Sequence, residues 1–241
     1  MAKKLLKDRL KKRREELKAK GQSGNLFFIK ADTTTRVRIL PTGDEEEFVK
    51  EITQFYLGNE IKGVISPSTF NEPCAILEAY DELKASKDDD DKSLAKTFTP
   101  RQRYLVLCAI YKDQAGKELD EQNSPKFIVL TSGMYQEIID LYLDETDWGD
   151  MTDPEKGYDL KLGRTGSGKT DTEYTVTACK NTPAPKQFKG KVFNLEEEVR
   201  KITPNYEDTK KTIAQFLGLG SEDEDEKPIK KGIKKLKKDT D

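Results

Sequence analysis

The sequence has no histidine and only three cysteines among 241 residues. Without histidine, the chain cannot form a Ser–His or Cys–His nucleophile pair or a zinc site with an imidazole ligand. The cysteines, Cys74, Cys108 and Cys179, are widely spaced and form no Cys-x-x-Cys pair. Their odd number and their spacing are typical of a reducing compartment. We therefore expect no metal site, no cofactor and no catalysis by the commonest nucleophilic mechanisms.

Long apolar runs are also missing. No run approaches the roughly 18 apolar residues of a membrane span, and the charged start has no apolar centre like that of a signal peptide. Hydrophobic residues make up 34% of the chain and charged residues 37%, which predicts that part of the chain lies outside any core. We therefore expect a soluble, cytoplasmic protein.

Charge is unevenly distributed, although the net charge is only −2. Residues 1–20 hold ten Lys/Arg and three Asp/Glu, for a net +7, whereas residues 21–220 hold 26 basic and 35 acidic residues, for a net −9. Residues 221–241 hold seven of each sign. A net-acidic body does not exclude a local basic groove, because the local distribution of charge decides which ligand a surface attracts.

The most informative stretch is Phe98 to Lys112. Its seven apolar residues, Leu105 to Tyr111, are uninterrupted, as in a strand buried on both faces. Arg101, Arg103 and Tyr104 precede this run and Lys112 follows it. Cations neutralise phosphates and aromatic rings stack on bases of any sequence, so this stretch is a candidate nucleic-acid site. The alternative is a core strand whose polar ends reach water.

Two further strands precede it. Alternation over residues 35–40 places Val37 and Ile39 inward and Arg36 and Arg38 on the other face, and a second strand, Phe48 to Leu57, includes Tyr56 near its end. The two arginines are candidate nucleic-acid contacts, although they could instead pair with the acidic cluster Glu45–Glu47.

Local signals predict the remaining elements. Residues 58–97 read as an insertion with a helix capped by Asn71 and a solvated acidic loop at Asp88–Asp91. Further along, the patterns predict a strand over Lys126–Thr131, a helix over Ser132–Leu143, a hairpin of Tyr158–Leu162 with Glu173–Cys179, a helix opened by Asn194-x-x-Glu197 and a helix over Pro204–Leu217.

The segment from Gly163 to Thr170 matches the nucleotide-binding P-loop pattern, Gly-x-x-x-x-Gly-Lys-Thr. A P-loop needs a buried strand before it and a helix after it, because the helix N-terminus faces the phosphates. Here Tyr-Asp-Leu-Lys-Leu before the loop reads as a half-exposed strand, and the β-branched, alternating segment after it also reads as a strand. The loop is therefore interpreted as a hairpin tip whose Arg164 and Lys169 could contact a nucleic-acid backbone.

Taken together, these elements predict a mainly β protein with α insertions, built on a five-stranded OB-like barrel flanked by helices. We predict a basic helical arm and hinge at 1–24, an OB-like core at 25–190 with an inserted segment at 58–97, helices packing on the core at 191–220 and a disordered charged tail at 221–241.

Several short motifs also resemble a known family. Arg38-Ile-Leu-Pro, the insertion bearing Cys74, Arg101-Gln-Arg-Tyr running into the apolar strand, and the Gly157-Tyr-Asp hairpin occur in that order, between a basic arm and an acidic tail. The chain is similar to the single-stranded DNA-binding (helix-destabilising) protein of T-even-type bacteriophages.

The resemblance implies a non-enzymatic protein that coats single-stranded DNA cooperatively and without sequence specificity in replication, recombination and repair. It implies that the arm contacts neighbouring protomers and that the tail recruits replication proteins, in the host cytoplasm. It also implies a cationic and aromatic binding groove, formed by Arg101, Arg103 and Tyr104 and extended by Arg36, Arg38, Tyr56, Lys112 and Arg164. That family holds zinc with three cysteines and a histidine in the insertion; because only Cys74 remains here, we predict no zinc. The lysine-rich end also departs from the family's acidic tail.

Two other classes of function stay open at the level of sequence. An OB-like module could bind RNA or only protein, since RNA is distinguished from DNA by contacts to the 2′-hydroxyl that no pattern reveals. A P-loop NTPase is the second alternative, and the strand after Thr170 disfavours it.

Overall fold

The computed structural model describes residues 25–43, 47–58, 61–168 and 171–218. The predicted arm and tail, Lys169 and most of the Glu45–Glu47 cluster lie outside these residues. The strands are β1 (Leu26–Phe27), β2 (Thr33–Ile39), β3 (Val49–Leu57), β4 (Ile61–Ile65), β5 (Arg101–Ile110), β6 (Lys126–Leu130), β7 (Tyr158–Thr165) and β8 (Glu173–Asn181). The α-helices are α1 (Ala75–Lys84), α2 (Asp89–Thr97), α3 (Ser132–Leu143), α4 (Leu195–Ile202) and α5 (Tyr206–Phe216). The protein is thus mainly β with helices.

One mixed sheet contains all eight of these strands. Six follow the order β1-β6-β5-β2-β7-β8, with β1 parallel to β6 and the other neighbours antiparallel. Strand β3 pairs with β4 and β5 off this path. Among the described residues, no pairing between β1 and β8 closes the path into a barrel, so the five-stranded OB-like barrel is not confirmed.

The described residues divide into two compact units, the first within 25–50 and 104–199 and the second within 51–103 and 200–218. In the first unit, the central strands β2, β5 and β7 pack one face against α3. Val37, Val106 and Leu160 come from these strands, and Met134 and Ile138 come from the helix. The predicted inward face of β2 is confirmed, because Val37 and Ile39 are both buried in this core.

The apolar run of β5 is buried on both faces, as predicted. All residues from Leu105 to Tyr111 are buried. A strand flanked by β2 and β6 has no free edge, and the side chains on both of its faces are buried. Each large aliphatic side chain buried in this way contributes about 1.5–3 kcal/mol of hydrophobic stabilisation.

The second unit is organised around α1 and α5. Ile76, Ala79 and Leu83 form the buried stripe of α1, at the helical spacing that the sequence predicts. From α5, Ile213 is buried in the same core, and Thr209 Oγ1 accepts a hydrogen bond from the Ala75 amide at 3.2 Å. This bond satisfies an amide in the first turn of α1, which lacks a helical partner.

Helix starts in the insertion differ from the predicted ones. Asn71 does not cap a helix; it ends the short 3₁₀ turn Pro67–Phe70 with φ 60°, and Cys74 precedes α1 without a side-chain cap. The predicted loop at Asp88–Asp91 is the start of α2, where Asp88 Oδ1 accepts from the Asp90 amide at 2.9 Å. Acidic side chains in a first turn interact favourably with the positive end of the helix dipole, so this acidic run stabilises a helix instead of a loop.

In the described part of the chain, none of the helices is both long enough and apolar enough to cross a membrane.

Candidate nucleic-acid interface

The second unit presents an arginine over an aromatic ring. Arg101, at the start of β5, is exposed, and its guanidinium carbon lies 5.4 Å from the centroid of the half-buried Tyr56 ring on β3. The Tyr56 hydroxyl donates a hydrogen bond to Gln54 Oε1 at 2.7 Å. Among the described residues, no carboxylate forms an ion pair with Arg101, so its charge is available to a phosphate.

Arg103 lies two residues further along the same strand. Its Nη1 donates to the carbonyl of Gln102 at 2.8 Å, and it too has no ion pair with a described carboxylate. The carboxylate of Glu51, in the same unit, accepts a hydrogen bond from the Gln102 side-chain amide. Because residues two apart in a strand share a face, Arg101 and Arg103 present two cations to the same side of β5.

Tyr104 belongs to a different surface, in the first unit. Its ring stacks on that of Tyr135 from α3, with centroids 4.2 Å apart and planes inclined by 26°. Both rings are half-buried against the core that contains Val106 and Cys108. The alternation of β5 therefore gives Tyr104 the opposite side to Arg101 and Arg103, although the three residues are close in sequence.

Arg36 and Arg38 form a buried cluster around one carboxylate. Arg36 Nε and Nη2 donate to Asp159 Oδ2 at 2.9 and 2.7 Å, and Arg38 Nε donates to Oδ1 at 2.8 Å. Arg36 is 9% exposed, Arg38 1% and Asp159 0%. Burial acts to lower the pKa of Arg36, but the hydrogen bond and charge of Asp159 outweigh it and raise that pKa.

Other groups enclose the same cluster. Arg38 also donates to the Asp153 carbonyl at 3.4 Å and to the Thr182 carbonyl, and Arg36 donates to the Gln114 carbonyl at 3.2 Å. Burial, and next the charge of Asp159, raise the pKa of the adjacent Tyr111 to about 12. The contact of Arg36 and Arg38 with nucleic acid stays a prediction, which Arg38 could fulfil only if this cluster opened.

Two further candidate cations, Lys112 and Arg164, lie in the first unit. Lys112 is exposed and pairs with Glu118 at 2.5 Å; the hydrogen bond to Glu118 and its charge raise the lysine's pKa. Arg164 is half-buried, donates to the Ile29 carbonyl at 3.1 Å and lies 6.0 Å from the Tyr174 ring centroid. Lys169 lies outside the described residues.

The glycine-rich segment that matches the P-loop pattern connects two antiparallel strands, β7 and β8. A strand therefore stands where a P-loop requires a helix. Two backbone amides that would have to bind phosphate are already engaged, since Gly166 donates to Asp32 Oδ1 at 2.9 Å and Gly168 donates to Asp171 Oδ1 at 2.6 Å. Gly166 has φ +73°, and a Cβ there would lie 2.1 Å from the Asp171 carbonyl oxygen, so the turn itself requires this glycine.

Three residues that contact candidate site residues were not predicted from the sequence: Asp159, Tyr135 and Gln54. Asp159 falls in a segment that reads as half-exposed, and only its pairing with two arginines explains its complete burial. No pattern in the sequence distinguishes Tyr135 from the other positions of the helix predicted over Ser132–Leu143. Gln54 interrupts the apolar pattern of β3 at a fully buried position, and this polar residue in a core strand was a usable signal.

The cysteines do not provide a metal site in the described region. No group of three or more metal-binding side chains comes together there. Cys74 and Cys108 are buried and Cys179 is half-buried, each as a free thiol. Burial raises the pKa of Cys108, as expected of a thiol among apolar side chains.

A comparison with protein-family models matches residues 31–217 to the family described as "gp32 DNA binding protein like". The match covers most of the 241 residues and includes both units of the described structure. A comparison with curated proteins finds no match. The resemblance drawn from the short motifs around Arg38, Cys74, Arg101 and Gly157 is confirmed, and the chain belongs to the gp32-like family of DNA-binding proteins.

Proposed function

We propose that this DNA-binding protein coats single-stranded DNA, cooperatively and without sequence specificity, during replication, recombination and repair of a bacteriophage genome. We further propose that Tyr56, Arg101 and Arg103 form the contact surface of the second unit. The observation that carries this is the position of Arg101, exposed, unpaired with any described carboxylate and aligned over the Tyr56 ring. Such a pair offers a cation to a phosphate and a ring to an unstacked base.

In the first unit, Tyr104, Lys112 and Arg164 are proposed as additional contacts. The stacked Tyr104–Tyr135 pair is half-buried, so part of its surface is exposed to a base. Lys112 would exchange Glu118 for a phosphate at little cost, because an exposed ion pair is weak. Arg36 and Arg38 link β2 to β7 through Asp159, and their contact with DNA stays a prediction.

Single-strand preference follows from the chemistry of the proposed contacts. A ring stacks only on a base whose face is free, and the bases of a duplex cover one another. Stacking does not distinguish base types, so binding should be nearly independent of sequence. An RNA-binding or protein-interaction module remains the alternative, and a matched RNA strand tests it.

The first experiment is a titration of labelled poly-dT, duplex DNA and poly-U at several salt concentrations. If about four to six phosphates are neutralised, the slope of log K against log salt should be about −3 to −4 for the single strand. Arg101→Ala should weaken binding and make that slope shallower by about 0.7, the share of one phosphate.

Arg200→Ala is the matched control. Arg200 is an arginine of the same unit that lies 4.3 Å from the Phe70 ring centroid, but it forms an ion pair with Glu72. Its replacement should leave the salt slope unchanged. Duplex bound as tightly as poly-dT would contradict the proposal, and tighter binding of poly-U would favour the RNA alternative.

A further inference from the structure

The burial of Gln54 in the second unit lowers the stability of the fold. Its side chain is completely buried, and its Nε2 amide has no hydrogen-bond partner in the described part of the chain. A buried donor without a partner loses its hydration and gains nothing in return, which costs stability. An apolar side chain of the same length would pack at this position without that cost.

The oxygen of the same side-chain amide forms a hydrogen bond with Tyr56, which is a proposed DNA contact. Gln54 Oε1 accepts a hydrogen bond from the Tyr56 hydroxyl at 2.7 Å. The two residues are separated by one position in β3, so their side chains share a face of the strand. Gln54 is buried and Tyr56 half-buried, and the bond therefore ties the partly exposed ring to a fixed point in the core.

The position of the ring matters because of what lies over it. The Arg101 guanidinium carbon is 5.4 Å from the ring centroid, and an arginine over an aromatic face gains a cation–π attraction that depends on ring orientation. Holding the ring in one rotamer before DNA arrives also removes part of the entropy that ordering it on binding would cost.

We propose that Gln54 is a positioning residue for DNA binding, which orients the Tyr56 ring through the tyrosine hydroxyl at the expense of fold stability. This inference rests on the proposed role of Tyr56 in binding single-stranded DNA. It makes stability and binding respond in opposite directions, whereas a residue that only fills the core would change both together.

The test is a double-mutant cycle of Gln54→Met and Tyr56→Phe, read by melting temperature and by affinity for an oligo-dT long enough for one protomer. Methionine keeps the unbranched shape of glutamine and removes the amide; phenylalanine keeps the ring and removes the hydroxyl. Each single variant should bind about threefold to tenfold more weakly, the worth of one hydrogen bond. The double variant should bind no more weakly than either single variant, and Gln54→Met should melt at or above the wild-type temperature.

Tyr206→Phe is the matched control, because the Tyr206 hydroxyl donates to Glu78 Oε2 at 2.8 Å in the same unit. It should leave affinity unchanged. Wild-type affinity of Gln54→Met, or losses that add up in the double variant, would overturn the inference. If Gln54→Met does not fold, Tyr56→Phe alone decides: a threefold to tenfold loss supports the inference, and wild-type affinity overturns it.

Tyr56→Ala separates this inference from the proposed function. If it binds oligo-dT as well as the wild type, Tyr56 is not a DNA contact, and both proposals for this ring are wrong. If it weakens binding while Gln54→Met and Tyr56→Phe do not, Tyr56 is a contact and Gln54 does not position it.

Discussion

At the scale of the residue, the candidate arginines differ in whether a carboxylate neutralises their charge. Arg36 and Arg38 share the carboxylate of Asp159, which is completely buried between them. Arg101 is exposed and has no such partner among the described residues. Arg36 and Arg38 therefore link β2 to β7, whereas the charge of Arg101 is available to neutralise a phosphate.

Asp159→Ala tests the structural role of this cluster. Removing the carboxylate leaves two buried guanidinium groups without their counter-charge, and breaking a buried ion pair in this way costs about 3–5 kcal/mol. The free energy of unfolding, measured by urea titration, should fall by that amount. Glu118→Ala, which breaks the exposed pair with Lys112, is the control and should change it far less. Equal losses in the two variants would contradict the structural role.

At the scale of the element, the hairpin of β7 and β8 decides what the glycine-rich segment does. Six residue pairs from Leu160↔Ala178 to Thr165↔Glu173 keep these strands in one antiparallel register, which shifts once before the pair Tyr158↔Asn181. The segment is consequently a turn whose glycines serve tight backbone geometry, with Asp32 and Asp171 occupying two of its amides. A strand end has no helix dipole to direct at a phosphate, so the sequence match alone does not make a nucleotide site.

Lys169→Ala tests this interpretation. We expect a modest loss of affinity for single-stranded DNA, because a cation near the hairpin tip is removed, and no effect on nucleotide binding. Calorimetric titration of the wild type with ATP and Mg²⁺ should show no saturable heat. Saturable ATP binding by the wild type that disappears in the variant would instead support the P-loop hypothesis.

At the scale of the whole molecule, the charge of the chain is segregated. Residues 1–20 carry a net +7, while residues 21–220 carry a net −9. We propose that the first segment of one copy is attracted to the acidic surface of the next copy on the DNA, which would make binding of one protomer favour the next. Opposite net charges on two regions also predict that this attraction weakens as salt rises.

Deletion of residues 1–20 tests the proposed contact between protomers. Affinity for long poly-dT should collapse, while affinity for an oligonucleotide that holds one protomer should be preserved. If these residues contact DNA instead, both affinities should fall together, with a shallower salt slope. Equal loss on short and long strands would therefore contradict the contact between protomers.

The sequence by itself determined the features that depend on neighbouring residues. The apolar run Leu105–Tyr111 gave a buried strand, and the alternation of β2 assigned Val37 and Ile39 to the core. Asn194 caps α4 as predicted, with its Oδ1 accepting from the Glu197 amide at 2.8 Å. Periodicity and capping are local, because they are set by backbone geometry within a few residues.

Only the tertiary structure decided which distant groups meet. Asp159 is 123 residues from Arg36 along the chain, yet the two side chains are hydrogen-bonded. The ring of Tyr104 stacks on the ring of Tyr135, although Arg101 and Arg103 are closer to it in sequence. The strand order β1-β6-β5-β2-β7-β8, with β3 and β4 off this path, was likewise beyond local patterns. The physical reason is that strand register selects cross-strand partners, and a shift of one residue would move every side chain to the other face.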